Sequence, residues 1–112
     1  MTLNEYQAQA RTTALYPEQA RIIYPALKLA GEAGEVTEKL GKLMRDEGYV
    51  AGAELTEAQT SALAKELGDV LWYVANLAAD MGLSLEDVGA QNLEKLASRK
   101  QRGVLGGSGD DR

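Results

Sequence analysis

Residues 28–43 read KLAGEAGEVTEKLGKL, with Gly31-Glu32-Ala33-Gly34-Glu35 at their centre. Leu29, Ala33, Val36, Leu40 and Leu43 recur at helical spacing, which predicts an amphipathic helix, with Pro25 tolerated in its first turn. Yet each interior glycine costs roughly 1 kcal/mol against alanine. Glu32 and Glu35, three residues apart on one face, also repel by roughly 0.2–0.5 kcal/mol. A helix that keeps these residues serves something besides its own stability.

Working outward, the same pattern returns downstream. Glu66 and Asp69, in AKELGDVLWYV, repeat the three-residue spacing inside a second strongly apolar helix. That helix is marked from Ala62 to Met81 by Leu63, Leu67, Val70, Leu71, Val74, Leu77 and Ala78. Thr56 with Gln59 has capping-box spacing ahead of it, and Gly82 suits its C-terminal cap. The charged, glycine-containing residues 46–55 between the two helices read as a surface loop. Upstream, Thr2 with Glu5 forms another capping box, and Leu3, Tyr6, Ala10 and Ala14 predict a helix over residues 3–14, broken by Pro17. Ser84 caps a fourth helix with Glu86 and Asp87 in its first turn and Arg99, Lys100 and Arg102 near its end, before Gly103 stops it. The glycine-rich tail, residues 103–112, is either frayed or a loop that closes over something. The expectation is one all-α domain over residues 1–112, a bundle of about four helices.

Composition narrows the chemistry. The chain has 112 residues, 45% apolar and 26% charged, which places it among folded globular domains; a thin helical one of this length gains from burying a second surface in an oligomer. No apolar run is long enough to cross a bilayer, and MTLNEYQAQA lacks the apolar core of a secretory signal, so the cytoplasm is the expected location and no membrane partner is expected. There is no cysteine and no histidine, which removes thiol nucleophiles, zinc-thiolate sites and the usual general base. A net charge of −5 argues against nucleic acid as a partner.

Any hydrolytic chemistry must therefore run on carboxylates. If the two long helices are antiparallel neighbours, Glu32, Glu35, Glu66 and Asp69 come together, and their mutual repulsion in a partly apolar bundle calls for cations. Oxygen-only ligation selects Mg²⁺, with Mn²⁺ as a substitute, and Mg²⁺ prefers to share phosphate oxygens. The implied substrate is phosphorylated. Gly31, Gly34 and Gly68 would leave room for close helix approach and a hydrated metal. Asn92, Lys95 and Arg99 share one face of the fourth helix and offer an amide, an ammonium and a guanidinium to a polyphosphate, although both cations equally favour a helix C-terminus. Trp72 and Tyr73 serve a core or stack a base; Tyr73 shares a face with Glu66 and Asp69. A lone ExxE or ExxD is ordinarily a solvated face, and it is the glycine-associated pair in apolar flanks that carries the reading.

LAGEAGEVTEKL followed by KELGDVLWYVANLA resembles the MazG-like nucleoside triphosphate pyrophosphohydrolases, all-α enzymes marked by ExxE, a spacer and ExxD. TTALYP near the start and NLEKLASRKQRGVLGGSGDDR at the end are similar to a subgroup of small stand-alone members. The spacer from Glu35 to Glu66 is longer than in many relatives, and GGSGDDR stands where HGSGDNR is expected, with Gly106 and Asp111 differing. The resemblance implies Mg²⁺-dependent hydrolysis of a nucleoside triphosphate to the monophosphate and pyrophosphate, in nucleotide-pool housekeeping. It implies Glu32, Glu35, Glu66 and Asp69 as metal ligands; with no histidine in the chain, Glu32 or Glu35 is expected to orient or deprotonate the attacking water. It also implies Asn92, Lys95 and Arg99 on the triphosphate, Tyr73 in the base pocket, and a homo-oligomer, dimer or tetramer. Related activities on phosphoribosyl-ATP or alarmones, and a non-catalytic helical binding module, are the alternatives.

Overall fold

The structure, a computed structural model, describes residues 1–112. It contains four α-helices, α1 (Leu3–Arg11), α2 (Ile23–Glu47), α3 (Glu57–Asp80) and α4 (Leu85–Gln101), one 3-10 turn at Glu18–Ala20, and no strand. Local chemistry sets the helix ends. The capping boxes at Thr2 and Thr56 are both complete, and the Ser84 hydroxyl accepts the Asp87 N–H. At the end of α3, Gly82 takes φ +77°, and the Gly82 and Leu83 N–H groups return to the carbonyls of Ala79 (3.0 Å) and Ala78 (2.8 Å). This is a Schellman ending that a Cβ would strain.

Two boundaries differ from expectation. Helix α1 stops at Arg11 rather than Ala14, because the hydroxyls of Thr12 and Thr13 bond back to the carbonyls of Gln9 (2.6 Å) and Ala10 (2.9 Å). Helix α3 begins at Glu57, directly after the Thr56 cap, as the capping-box spacing predicts. Helix α2 continues to Glu47, where Gly48 at φ +71° ends it.

Helices α2 and α3 lie antiparallel along each other. Ile22 meets Asp80 at one end, Lys39 meets Glu66 near the middle, and Glu47 meets Gln59 at the other end. Helix α1 crosses the C-terminal half of α3, and α4 packs on α1 and α3. The buried amide of Gln7 stitches this junction, donating to the carbonyls of Ala75 (3.1 Å) and Leu83 (3.0 Å) while its oxygen accepts the Leu85 N–H (3.1 Å). Ala10, Ala75 and Leu85 form the core there, flanked by Tyr6, Trp72 and Val74.

That core is small. Only nine of 112 residues are buried, and the radius of gyration of 17.0 Å exceeds the roughly 13 Å of a compact domain this long. Leu27, Leu67, Leu71 and Leu93 remain exposed on the helices, and Met81 just past the end of α3. One chain therefore makes an open, all-helical platform and leaves much apolar surface uncovered.

Candidate active site

The antiparallel register places three carboxylates in one group. Glu32 from α2 and Glu66 and Asp69 from α3 each offer an oxygen, all within 4.8 Å of one another. Neighbouring ligands on an octahedral Mg²⁺ lie about 3 Å apart and opposite ones about 4.2 Å, so these side chains would swing inward to gather around one ion. The donors are hard oxygens throughout, as Mg²⁺ or Mn²⁺ requires. Glu35 is exposed and stands outside the group, one turn further along α2.

The glycines do not act as anticipated within the chain. A Cβ added at Gly31, Gly34 or Gly68 would meet nothing within 4 Å, so close approach of α2 to α3 does not require them. They face open space beside the carboxylates, which leaves the motif accessible from outside the chain.

The group opens onto a cavity of about 350 Å³ lined by Thr13, Glu32, Asp69, Trp72 and Tyr73. A second cavity of about 410 Å³, lined by Thr13, Leu15, Tyr16, Pro17, Tyr24 and Trp72, shares Thr13 and Trp72 with the first. The Trp72 indole N–H donates to the Thr13 hydroxyl at 2.8 Å, fixing the wall between them. Tyr16, Tyr24 and Tyr73 form a chain of rings with centroids 5.1 and 6.2 Å apart, and Trp72 meets Tyr73 edge-on at 4.8 Å. Burial pushes the Tyr73 phenol up to about 12, reinforced by the Tyr24 hydroxyl and the Glu32 and Asp69 carboxylates. Burial also raises Tyr6, with the Asp69 charge adding to it. Both phenols thus stay protonated beside the acidic group and keep a hydrogen-bond donor there.

The segment carrying Thr13 to Pro17 is held by Asp80, whose side chain is fully buried. Arg11 (2.7 Å), the Tyr16 hydroxyl (2.8 Å) and the Ile22 N–H (3.0 Å) all donate to it. Ile22 itself sits at φ +67°, ψ −57°, with the Ile23 N–H bonded to the Arg21 carbonyl at 2.8 Å. This is a tight γ-turn that a β-branched residue adopts only under strain. Arg11 also reaches the buried Asn76 side-chain oxygen at 3.1 Å.

The fourth-helix residues lie elsewhere. Asn92 and Lys95, with Val88 and Gln91, line a separate cavity of about 360 Å³. Arg99 is buried and occupied by the tail, donating to the Asp110 (3.0 Å) and Gly109 (3.4 Å) carbonyls, while Asp110 lies 3.4 Å from Arg99 and 3.5 Å from Lys95. The Lys95 charge, then Arg99, lowers the Asp110 carboxyl. Arg102 donates to the Arg112 carbonyl at 2.9 Å. The tail is thus a loop folded back on the basic face of α4, with a carboxylate where a phosphate was expected.

The structure therefore brings together Glu32, Glu66, Asp69 and Tyr73, and it leaves Glu35, Asn92, Lys95 and Arg99 outside that group within one chain. Sequence reasoning passed over Lys39, whose ammonium lies 2.7 Å from Glu66, although its spacing of seven from Glu32 was the available signal. Thr13, Tyr16 and Tyr24 carried no such signal, since their place depends on how the α1–α2 segment folds.

Fold and site together define an all-α protein with an acidic, oxygen-only group opening onto aromatic cavities. The chain belongs to the MazG nucleotide pyrophosphohydrolase family: the model described as "MazG nucleotide pyrophosphohydrolase domain" matches residues 25–104, which include every carboxylate of the two motifs. It is also similar to the "Gene 37 protein" of Mycobacterium phage L5, 42% identical over 118 aligned residues that cover 100% of each chain. No solved structure matches the chain.

Proposed function

We propose that the protein hydrolyses a nucleoside triphosphate between the α and β phosphorus atoms, yielding the monophosphate and pyrophosphate, with Mg²⁺ required and Mn²⁺ a substitute. The observation that carries this reading is the convergence of Glu32, Glu66 and Asp69 beside an aromatic cavity in a MazG-family chain. A bound metal would polarise the α-phosphoryl group and neutralise growing charge on the pyrophosphate. Glu32, Glu66 and Asp69 hold it, and Glu35 completes the set or stays free for the water.

Glu32 or Glu35 orients the attacking water and takes its proton; the water oxygen bonds to the α phosphorus as the bond from that phosphorus to the bridging oxygen breaks. Pyrophosphate leaves with that electron pair. Trp72 and Tyr73 provide the surfaces for the base. Asn92 and Lys95 engage the triphosphate across a subunit boundary of a homo-oligomer, which fits both their separate cavity and the apolar surface left open by one chain; Arg99 joins them only where the tail and its Asp110 give way. The setting is the cytoplasmic nucleotide pool.

Hydrolysis in ¹⁸O-labelled water tests the bond and the point of attack. The label is expected in the nucleoside monophosphate, with pyrophosphate unlabelled. Formation of nucleoside diphosphate and orthophosphate would overturn the reading.

A further inference from the structure

Lys39 is the one cationic side chain in ion-pair contact with the carboxylate group. Its Nζ lies 2.7 Å from Glu66 Oε1, whose side chain is 16% exposed, and neither Glu32 nor Asp69 has an ion-pair partner. Three carboxylates whose oxygens lie within 4.8 Å of one another repel strongly, and one ammonium compensates only part of that charge. The oxygen that Lys39 engages belongs to a residue that the metal would also need. A strong ion pair at one oxygen of a would-be ligand opposes a divalent ion arriving beside it.

We infer that Lys39 is a built-in counter-cation: it holds Glu66 in the group when no metal is bound, and a divalent metal displaces it from that position. Lys39 is thus a positioning residue that acts through Glu66. It steadies the metal-free protein and weakens metal binding, so that the site trades one cation for another. The inference rests on the metal-dependent reading above.

Lys39→Met keeps most of the length of the side chain and removes its charge, with Lys39→Gln as a second variant should the first fold poorly. Mn²⁺ binding is measured by electron paramagnetic resonance of the free ion, and melting temperature is taken in chelator and in saturating Mn²⁺. Removing a unit charge so near a divalent ion should tighten Mn²⁺ binding about tenfold. Melting in chelator should fall, whereas melting in saturating Mn²⁺ should match the wild type, and Lys39→Arg should restore wild-type behaviour on both counts.

Unchanged or weaker Mn²⁺ binding overturns the inference, as do equal drops in both melting temperatures, which would mark a merely structural lysine. Those results leave the proposed reaction standing, since the wild type would still bind metal. If the wild type itself binds neither Mn²⁺ nor Mg²⁺, the metal-dependent reading falls and this inference with it.

Discussion

Asp80 gathers three donors from three separate stretches of chain, the Arg11 guanidinium, the Tyr16 hydroxyl and the Ile22 N–H, around a fully buried carboxylate. Burial alone would raise its pKa, but these donors together hold it below the ordinary carboxylate value. Such a group contributes stability above its unfolded pKa, near 3.9, and that contribution is lost as pH falls through the lower folded value. Acid below about pH 4 should therefore release the segment before α2, and the γ-turn at Ile22 with it. Asp80→Ala strands Arg11 and should cost about 3–5 kcal/mol in urea unfolding at neutral pH. A loss below about 1 kcal/mol, the range of an exposed ion pair, would show that the network is not what fixes this segment. At the catalytic end, Glu35→Gln should lower kcat by at least about 100-fold if Glu35 takes the proton, with melting temperature unchanged because the side chain is exposed. Retained turnover would leave that task to Glu32.

In the proposed reaction helix α3 would join metal chemistry to base recognition, since Glu66, Asp69, Trp72 and Tyr73 follow one another along it. Removing an aromatic surface that stacks a base costs about 1–3 kcal/mol, so Trp72→Ala should raise KM by about tenfold while sparing kcat. A kcat loss at constant KM would place Trp72 nearer the reacting atoms. Helix α4 has a different tie: Arg99 lies beneath the tail. Arg99→Ala should speed backbone hydrogen exchange over residues 104–112, whereas unchanged exchange would mean that Arg102 and Arg112 suffice. At this scale much was legible in advance. Capping boxes, the Gly82 stop and the two acidic motifs are local patterns, written within a few residues, and the structure contains them. Partners distant in sequence were not. That Lys39 meets Glu66, that Arg99 is covered by Asp110, and that Thr13 braces Trp72 all depend on register and loop path, which periodicity does not specify. The end of α1 was missed because threonine hydroxyls at residues 12 and 13 compete for helix carbonyls.

At the scale of the whole molecule, the extended shape and scant core set the main constraint. Val74, Leu77 and Ala78 of α3, with Leu29, Met81 and Leu83, form an apolar recess of about 220 Å³ that this chain does not fill. A homo-oligomer that covers it should run in light scattering at a multiple of 12.0 kDa. Met81→Glu should then dissociate it and abolish turnover together; an active monomer would show that one chain holds a complete site. Whether this carboxylate platform splits nucleoside triphosphates with a metal's help is tested by pyrophosphate release. The assay would use a panel of ordinary and modified nucleoside triphosphates, with phosphoribosyl-ATP and an alarmone included, in Mg²⁺, in Mn²⁺ and in chelator. Release is expected in either metal, with silence in chelator and a clear preference among the triphosphates. Release undiminished by chelator, or none from any substrate by folded, metal-loaded protein, would contradict metal-dependent cleavage.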